Sequence, residues 1–370
     1  MTRRSLILPA CCALLLAVAG CSSSPAARDV VEQPDQNIKD GNIADPTADN
    51  GSMKAASAAC LAGKQITGRP VQIVSTVAPI TNLISLVVGD TGSVVTGIVP
   101  EGTNSHTFEP PPSAAAKLEK ADIIFVNGLA LEDPTLAMAE ANAPDAVVCE
   151  LGTSVLPSAG YQYDFSFPKE GGKPNPHLWT SPQLVLNYLT MIRDALLVAD
   201  PVNFETYDAN YATVSEMVMA LDSAMFTATE SIAPNQRKLL TYHDAYAYFG
   251  IHFKYDIIGA IQPQSFEEPS PQDIAAVIDQ VKSQKVKAIF GSEVFPSSVL
   301  EQIGKETNVR YVDTLRDDDL PGKPGEADHS WGGLMKFNFI TMVEALGGDA
   351  SAIKAVNIDT GLSDKASYPQ

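Results

Sequence analysis

Eight short, apolar, β-rich runs constrain the fold of this chain more than any other feature of its sequence. The runs cover residues 71–77, 93–99, 122–127, 146–151, 238–243, 256–261, 286–292 and 309–315. Helical patterns lie between most of them. Apolar strands that alternate with helices are typical of an α/β fold with parallel or mostly parallel sheets, because the crossover helices bury both sheet faces.

The runs form two sets of four, and two helical patterns, at residues 182–198 and 202–232, separate the sets. The second pattern follows Asp200-Pro201, a good start for a helix, and repeats apolar residues at alternating steps of three and four. At 1.5 Å per residue this helix would reach about 45 Å. We therefore expect two lobes, each with a mostly parallel four-stranded sheet, joined by a long rigid helix that allows only small lobe movements.

The first 20 residues have the pattern of a cleaved export signal. Arg3 and Arg4 precede an apolar run too short to cross a bilayer, and the small residues before Cys21 form a lipobox. Cys21 is therefore the expected site of lipidation, which would hold the protein at the outer side of the cell membrane. The alternative is plain secretion with Cys21 free. Residues 21–65 lack apolar periodicity and are rich in turn formers and acids, which predicts a disordered tether.

These features give predicted boundaries for the whole chain: signal peptide 1–20, tether 21–65, N-terminal lobe 66–201, connecting helix 202–232 and C-terminal lobe 233–370. The signal removes two of the 25 basic residues and none of the 44 acidic ones, so 23 basic residues face 44 acids. This charge balance argues against nucleic acid as a partner.

Two of the five cysteines leave with the signal and Cys21 is the proposed anchor, so Cys60 and Cys149 remain. An even pair outside the cytoplasm predicts one disulfide. No C-x-x-C spacing occurs, which argues against a metal site made of cysteines.

Histidines and acids follow the predicted strands at the places where α/β sheets bind ligands. His106 follows the second run, His243 closes the fifth, and Asp317 to Asp319 follow the eighth; His177 precedes the interlobe helices. Because ligands bind outside the carboxyl ends of strands, these side chains are candidates for one shared site. Imidazoles with a carboxylate suit zinc. The alternative is a set of scattered core and surface histidines.

Three segments also carry a family resemblance. His106-Thr107-Phe108-Glu109-Pro110, residues 175–182 (NPHLWTSP) and residues 242–249 (YHDAYAYF) resemble signature segments of the zinc/manganese solute-binding lipoproteins of metal ABC transporters, the ZnuA, TroA and PsaA group of cluster A-I. The resemblance spans about residues 66 to 348. It implies one metal ion in the interlobe cleft and delivery of that ion to a membrane permease.

The resemblance also implies a ligand set. His106 and His177 would bind from the N-terminal lobe, and His243 from the C-terminal lobe, where manganese-type members often have glutamate. The fourth ligand would be Asp318, with Asp317 as the alternative, because the triple aspartate leaves the register open by one residue.

Two acids are candidates for supporting roles around the ligands. We expect Glu109 to orient His106 or to cap the following turn, with an ordinary loop acid as the alternative, and Glu293 to lie behind the ligands or to line the cleft. His252, between aromatic residues, is not expected to bind metal. His329 lies within reach in sequence of the proposed aspartate, although the family has no ligand at that position. Residues 157–174 contain no histidine cluster, so the preference for Zn²⁺ over Mn²⁺ rests chiefly on His243.

The sequence therefore predicts a monomeric, lipid-anchored metal-binding protein of an import system, and not an enzyme. An exported zinc-dependent hydrolase is one alternative, although neither H-E-x-x-H nor G-x-S-x-G occurs. An adhesin or a lipoprotein that binds an organic solute is another, and Trp179 and Tyr246 would then line its pocket.

Overall fold

The computed structural model describes residues 51–262, 266, 269–293 and 298–369. Its eight strands, β1 to β8, are Gln72–Ser75, Val94–Gly97, Ile123–Val126, Val147–Glu150, Lys238–Thr241, Asp256–Ala260, Ala288–Ser292 and Arg310–Leu315. Each lies inside one of the eight predicted runs, so this part of the prediction is confirmed.

Helices occupy most of the chain between the strands. In chain order, α1 to α12 are Gly51–Cys60, Ala78–Val88, Pro112–Leu118, Asp133–Asn142, Leu151–Val155, Pro182–Ala199, Phe204–Glu230, Ala247–Phe253, Pro271–Gln284, Ser298–Thr307, Trp331–Ala345 and Ser351–Lys354. Among these described helices, none combines the length and apolarity that a membrane crossing requires.

The strands form two parallel four-stranded sheets, in the orders β2-β1-β3-β4 and β6-β5-β7-β8. The two orders are equivalent, since in each sheet the first strand of the set lies between the second and the third. The strands β3 and β7 are buried along their whole length because helices cover both faces. The predicted α/β fold with two lobes is confirmed, and the N-terminal and C-terminal lobes are named here after these two sheets.

The long helix α7 connects the lobes and belongs to the core of both. It packs against α2 and α6 on the N-terminal side and against α11 and α12 on the other. Its 27 residues correspond to about 40 Å. The α-helix begins at Phe204, two residues later than predicted, because a short 3₁₀ turn, Pro201–Asn203, precedes it.

The predicted tether is too long at its C-terminal end. Residues 21–50 lie outside the described part of the chain, but residues 51–60 form α1, which packs against α5 and β4. Cys60, at the end of α1, is disulfide-bonded to Cys149 in β4, and both side chains are buried. The alanine-rich sequence of α1 favours a helix, and the disulfide holds this helix on the sheet.

The C-terminal boundary of the second lobe also needs correction. Residues 362–369, named here the return segment, leave the C-terminal lobe and lie along β2, the edge strand of the N-terminal sheet. Ser367 donates its N–H to the carbonyl of Val95 and accepts from the N–H of Gly97, at 3.0 and 2.9 Å. The prediction that residues 233–370 form one lobe is therefore wrong for this segment.

Candidate metal centre

The loop after β2 carries His106. This His106 loop (residues 98–108) contains a single 3₁₀ turn, Ser105–Thr107, which begins at Asn104. The Asn104 side chain accepts the N–H of His106 at 3.0 Å, and this is the capping role in which asparagine is favoured. The backbone on either side of the imidazole is therefore held in one conformation.

His177 is fixed by the asparagine two residues before it. The Asn175 side-chain oxygen accepts the backbone N–H of His177 at 3.1 Å and lies 2.8 Å from its ring nitrogen Nδ1. A proton on Nδ1 makes this second contact a hydrogen bond and leaves Nε2 with a free lone pair. His177 is fully buried, so its ring orientation is determined by the protein.

His243 comes from the C-terminal lobe, two residues after β5. Its carbonyl accepts the hydroxyl of Thr241 at 2.7 Å, and its ring nitrogen Nδ1 lies 2.9 Å from a carboxylate oxygen of Asp317. Asp317 therefore lies behind His243, on the side of the ring away from Nε2. A carboxylate in this position selects the tautomer in which Nε2 can bind a metal.

Asp318 lies in the loop that follows β8, the Asp318 loop (residues 316–320). Its Oδ2 accepts a hydrogen bond from the hydroxyl of Ser105 at 2.6 Å, so a residue of the N-terminal lobe contacts a carboxylate of the C-terminal lobe. Its other oxygen, Oδ1, is buried and accepts no hydrogen bond from the residues that the structure describes. A buried carboxylate oxygen without a donor is energetically costly unless a cation or a proton compensates it.

Glu293, which follows β7, holds the Asp318 loop in place. One of its carboxylate oxygens accepts the backbone N–H groups of residues 317, 318 and 319, at 2.8, 3.3 and 3.2 Å. The structure therefore places Glu293 behind the candidate ligands, which is one of the two positions expected from the sequence.

The three histidines converge. Nε2 of His106 lies 3.1 Å from Nε2 of His177 and 3.1 Å from Nε2 of His243. A ligand atom from each of these residues lies within 4.8 Å of the other two, and the same holds for His243, Asp317 and Asp318. The candidate ligands from both lobes thus form one cluster at the carboxyl ends of the two sheets.

The electrostatic surroundings keep the imidazoles neutral. Burial, with a further contribution from His243, lowers the pKa of His106 and of His177 well below the usual value. Burial also lowers the pKa of His243, although nearby Asp318 and Glu293 act in the opposite direction. Neutral imidazole is the form that coordinates metals, so the site is prepared for a cation.

The carboxyl groups show the complementary effect. Burial and then Asp317 raise the pKa of Asp318 to about 7, and burial and then Asp319 raise the pKa of Asp317 to about 8. Burial, with Asp317 next, raises the pKa of Glu293 well above its usual value. The concentration of buried acids beside neutral histidines is unfavourable for the protein alone, and a divalent cation would relieve it.

Aromatic rings cover the cluster on one side. Phe266 stacks on the His106 ring at a centroid distance of 4.5 Å, and Phe167 contacts the rings of His106 and His177 at 5.4 and 5.8 Å. Phe167 belongs to the loop that lacks a histidine cluster. Its neighbour Ser166 binds Asp244 and the carbonyl of Gln262 in the C-terminal lobe, at 2.8 and 2.9 Å, so this loop spans the two lobes.

The remaining candidates lie outside the cluster. Glu109 is exposed, and the structure describes no hydrogen bond from its carboxylate to His106, so its orienting or capping role stays a prediction. His252 contacts Asp222 at 2.6 Å. His329 is buried and contacts Glu101 at 2.9 Å, and neither histidine belongs to a described metal-binding group.

Sequence reasoning missed several residues that support the site. Ser105, Asn175 and Trp179 are the main ones; the indole N–H of Trp179 donates to the carbonyl of Asp317 at 2.7 Å across the lobes. The only sequence signal for them is their position, directly before or two residues from a candidate ligand histidine.

Comparison with known proteins agrees with this geometry. Residues 73–345 match the family described as the periplasmic component A of the zinc-uptake complex. The chain belongs to this family. The predicted resemblance is thereby confirmed, and the protein is an extracytoplasmic metal-binding component of an uptake system.

Individual members of the family differ in the metal that their names give. The chain is 30% identical to the iron-binding protein YfeA of Yersinia pestis over 261 residues, which are 70% of this chain and 81% of YfeA. It is 28% identical to the manganese-binding lipoprotein MntA of Halalkalibacterium halodurans over 284 residues, covering 77% and 91% of the two chains.

Solved structures of periplasmic metal-binding proteins share the fold. The periplasmic zinc-binding protein TroA of Treponema pallidum superimposes with a TM-score of 0.68 at 21% identity, covering 75% of this chain and 99% of TroA. A manganese-bound periplasmic metal-binding protein of Candidatus Liberibacter asiaticus gives a TM-score of 0.66 at 24% identity, covering 75% and 100%. These likenesses support the two-lobe architecture.

Proposed function

We propose that this protein binds zinc with His106, His177, His243 and Asp318 and delivers it to an ABC-type import permease, with manganese as the alternative ion. The observation that carries the proposal is the convergence of three imidazole Nε2 atoms, at 3.1 Å from His106, beside a buried carboxylate oxygen that lacks a hydrogen-bond donor. When the Nδ1 protons point outward, the three Nε2 lone pairs face one point and repel one another, and a metal ion bound there makes the arrangement favourable.

The geometry favours Asp318 over Asp317 as the fourth ligand. Both side chains have a buried carboxylate oxygen without a hydrogen-bond donor, but Asp317 contacts the outer nitrogen of His243, whereas Asp318 contacts Ser105 of the other lobe. With Asp318 the donor set is three nitrogens and one oxygen, which suits the tetrahedral shell of zinc. Manganese prefers more oxygen donors, and it stands below zinc in the general affinity order for sites with nitrogen ligands.

The test is competition binding of Zn²⁺, Mn²⁺ and, under anaerobic conditions, Fe²⁺ to the purified protein. We expect zinc to bind most tightly. His243→Glu should narrow the gap between zinc and manganese, because it exchanges a nitrogen donor for oxygen, and His243→Ala should weaken both ions by removing the ligand from one lobe. His252→Ala, a histidine outside the cluster, is the matched control and should bind as the wild type does.

A wild-type protein that contains no bound metal by elemental analysis and binds none in titration would refute the function. Unchanged zinc affinity in His243→Ala would show that His243 is not a ligand, and the preference for zinc would then lose its main support. Tighter binding of manganese than of zinc by the wild type would leave a metal-binding protein but reverse the proposed specificity.

The two alternatives from the sequence have less support in the structure. Trp179 and Tyr246, which an organic-solute pocket would use, are buried, and their N–H and O–H groups donate to the carbonyls of Asp317 and Arg316. A hydrolase needs an open coordination position for water, and four protein ligands would fill a tetrahedral shell. A hydrolytic activity that rises with the metal content of the protein would support the hydrolase alternative.

We propose in addition that the exported chain is anchored through a lipid on Cys21, which lies outside the described residues. An anchored, monomeric protein would load metal near its permease. Cys21→Ser should release the protein from the membrane fraction or block its processing. Normal processing and anchoring of this variant would show that the lipoprotein prediction is wrong.

A further inference from the structure

The return segment is bound to the N-terminal lobe from Asp364 to Pro369. Its exposure alternates: Leu362, Asp364, Ala366 and Tyr368 are partly buried, and the residues between them are exposed. This is the pattern of a strand with one face on the protein. The match to the family model ends at residue 345, before the return segment begins.

Polar contacts fix the segment to α2 as well as to β2. The hydroxyl of Ser85 in α2 accepts the N–H groups of Lys365 and Ala366 at 3.0 and 3.1 Å, and the amide of Asn82 donates to Asp364 at 2.8 Å. Asn82 also accepts the N–H of Trp331 at the start of α11, at 2.9 Å. The same α2 side chain therefore contacts the return segment and the C-terminal lobe.

The far end of the segment reaches the His106 loop. The carbonyl of Pro369 accepts the N–H of Glu101 at 3.4 Å, and the Tyr368 ring packs edge-on against the ring of His329 at 4.9 Å. His329 contacts the Glu101 carboxylate at 2.9 Å, and next to it the N–H of Gly102 donates to Asp319 at 2.6 Å. Residues 101 and 102 are thus held by the return segment on one side and by the Asp318 loop on the other.

These contacts lie four to five residues before His106, and the hydroxyl of Ser105 links the same loop to Asp318. The position of the backbone at His106 therefore depends on the positions of residues 101 and 102. Displacement of a ligand by a fraction of an ångström weakens coordination, because metal shells tolerate small errors in distance only.

We propose that the return segment is a positioning element for the metal site: Tyr368 and Pro369, with His329, hold the His106 loop against the Asp318 loop and slow the release of bound metal. The inference rests on the proposed function, since it concerns retention of the same ion. Tyr368 acts through His329 and Glu101 and does not touch the metal.

The test measures metal dissociation by mixing the zinc-loaded protein with an excess of chelator, together with the melting temperature of the metal-free protein. Deletion of residues 360–370 and Tyr368→Ala should both accelerate metal dissociation by about tenfold. This is the lower end of the loss in metal affinity that follows removal of a residue supporting a ligand from outside the metal's own shell. Tyr368→Phe keeps the ring on His329 and should remain within about twofold of the wild type by the same reasoning. Lys365→Ala, which removes only the exposed ion pair with Asp90, is the control and should leave the rate unchanged.

Hydrogen exchange of the metal-free proteins provides a readout that does not depend on metal. Backbone amides of residues 98–107 should exchange faster in the deletion variant and in Tyr368→Ala, and not in Lys365→Ala. Should the deletion variant fail to fold, Tyr368→Ala carries the test by itself.

The outcomes separate this inference from the function. A wild-type protein that binds no metal would refute the function. Wild-type binding with equal dissociation rates in the wild type and Tyr368→Ala would overturn the inference and leave the function intact. Equal acceleration in Tyr368→Ala and Tyr368→Phe would also overturn it, because the ring on His329 would then not be the positioning contact.

Discussion

Exchange of the neighbouring acids Asp317 and Asp318 for asparagine should have very different consequences for metal affinity. Asp317→Asn puts a neutral amide in place of the carboxylate that lies 2.9 Å from Nδ1 of His243, so the charge behind the imidazole is lost while a similar side chain remains. Loss of such an outer partner typically lowers affinity roughly 10- to 100-fold, or about 1.4 to 2.7 kcal/mol. Asp318→Asn replaces the anionic donor itself with a neutral amide, so we expect a loss well above about 100-fold.

The assay is zinc competition against a chromophoric chelator at pH 7.5 and fixed salt. Glu109→Gln is the matched control, because it removes an acid three residues from His106 that is exposed and outside the cluster, and its affinity should equal that of the wild type. If Asp317→Asn loses as much affinity as Asp318→Asn, or more, the assignment of Asp317 to the back of His243 and of Asp318 to the metal is wrong.

Three further predictions address pH, the disulfide and an interlobe hydrogen bond. The pKa of Asp318 in the metal-free protein is about 7, and only the carboxylate binds metal; zinc affinity should therefore be nearly constant above pH 8 and fall by about tenfold per pH unit below pH 7. The histidines, whose pKa values are lowered, add to this loss only at more acidic pH, and calorimetric titration from pH 8.5 to 5.5 that shows no slope would contradict the ligand set. Replacement of Cys60 and Cys149 by alanine opens a link between residues 89 positions apart and should lower the free energy of unfolding by about 4.6 kcal/mol on the loop-entropy account. Urea denaturation measures this change, and an unchanged midpoint would contradict it. Trp179→Phe leaves the buried carbonyl of Asp317 without its donor, so the free energy of unfolding should fall by about 1 to 3 kcal/mol and zinc affinity should fall as well. A variant with wild-type stability and wild-type zinc affinity would show that this hydrogen bond stabilises neither the fold nor the site.

The fold was largely predictable because its signals are local. Eight apolar runs with helices between them define two parallel sheets, and the three-and-four spacing of apolar residues defines α7. Boundaries were less accurate where a tertiary contact decides them. Residues 51–60 have a weak helical pattern that the disulfide at Cys60 and packing on β4 stabilise, and no periodicity in the sequence indicates that the return segment would lie beside β2.

The candidate ligands were predictable to a similar degree, for a different reason. Ligands bind at the carboxyl ends of strands in α/β folds, so the sequence made His106 and His243 candidates for one site, with scattered histidines as the alternative. The roles of Asp317 and Asp318 could not be separated, since one residue of register determines which carboxylate faces His243 from behind. Proximity in sequence to His106 could not decide the role of Glu109, because it does not determine the direction of an exposed side chain.

The main hydrophobic core is continuous from the N-terminal sheet to the C-terminal one. It includes Ile73 and Phe125 of one sheet, Leu239 and Phe290 of the other, and Val218 of α7 between them. Neither lobe can unfold without exposing apolar surface that the other lobe also covers, so melting should proceed as one cooperative transition and not as two. With one core shared by both lobes, the protein has no flexible hinge between them. We therefore expect exchange of bound metal to be governed by the loops above the core, whose local opening is far less costly than parting the lobes.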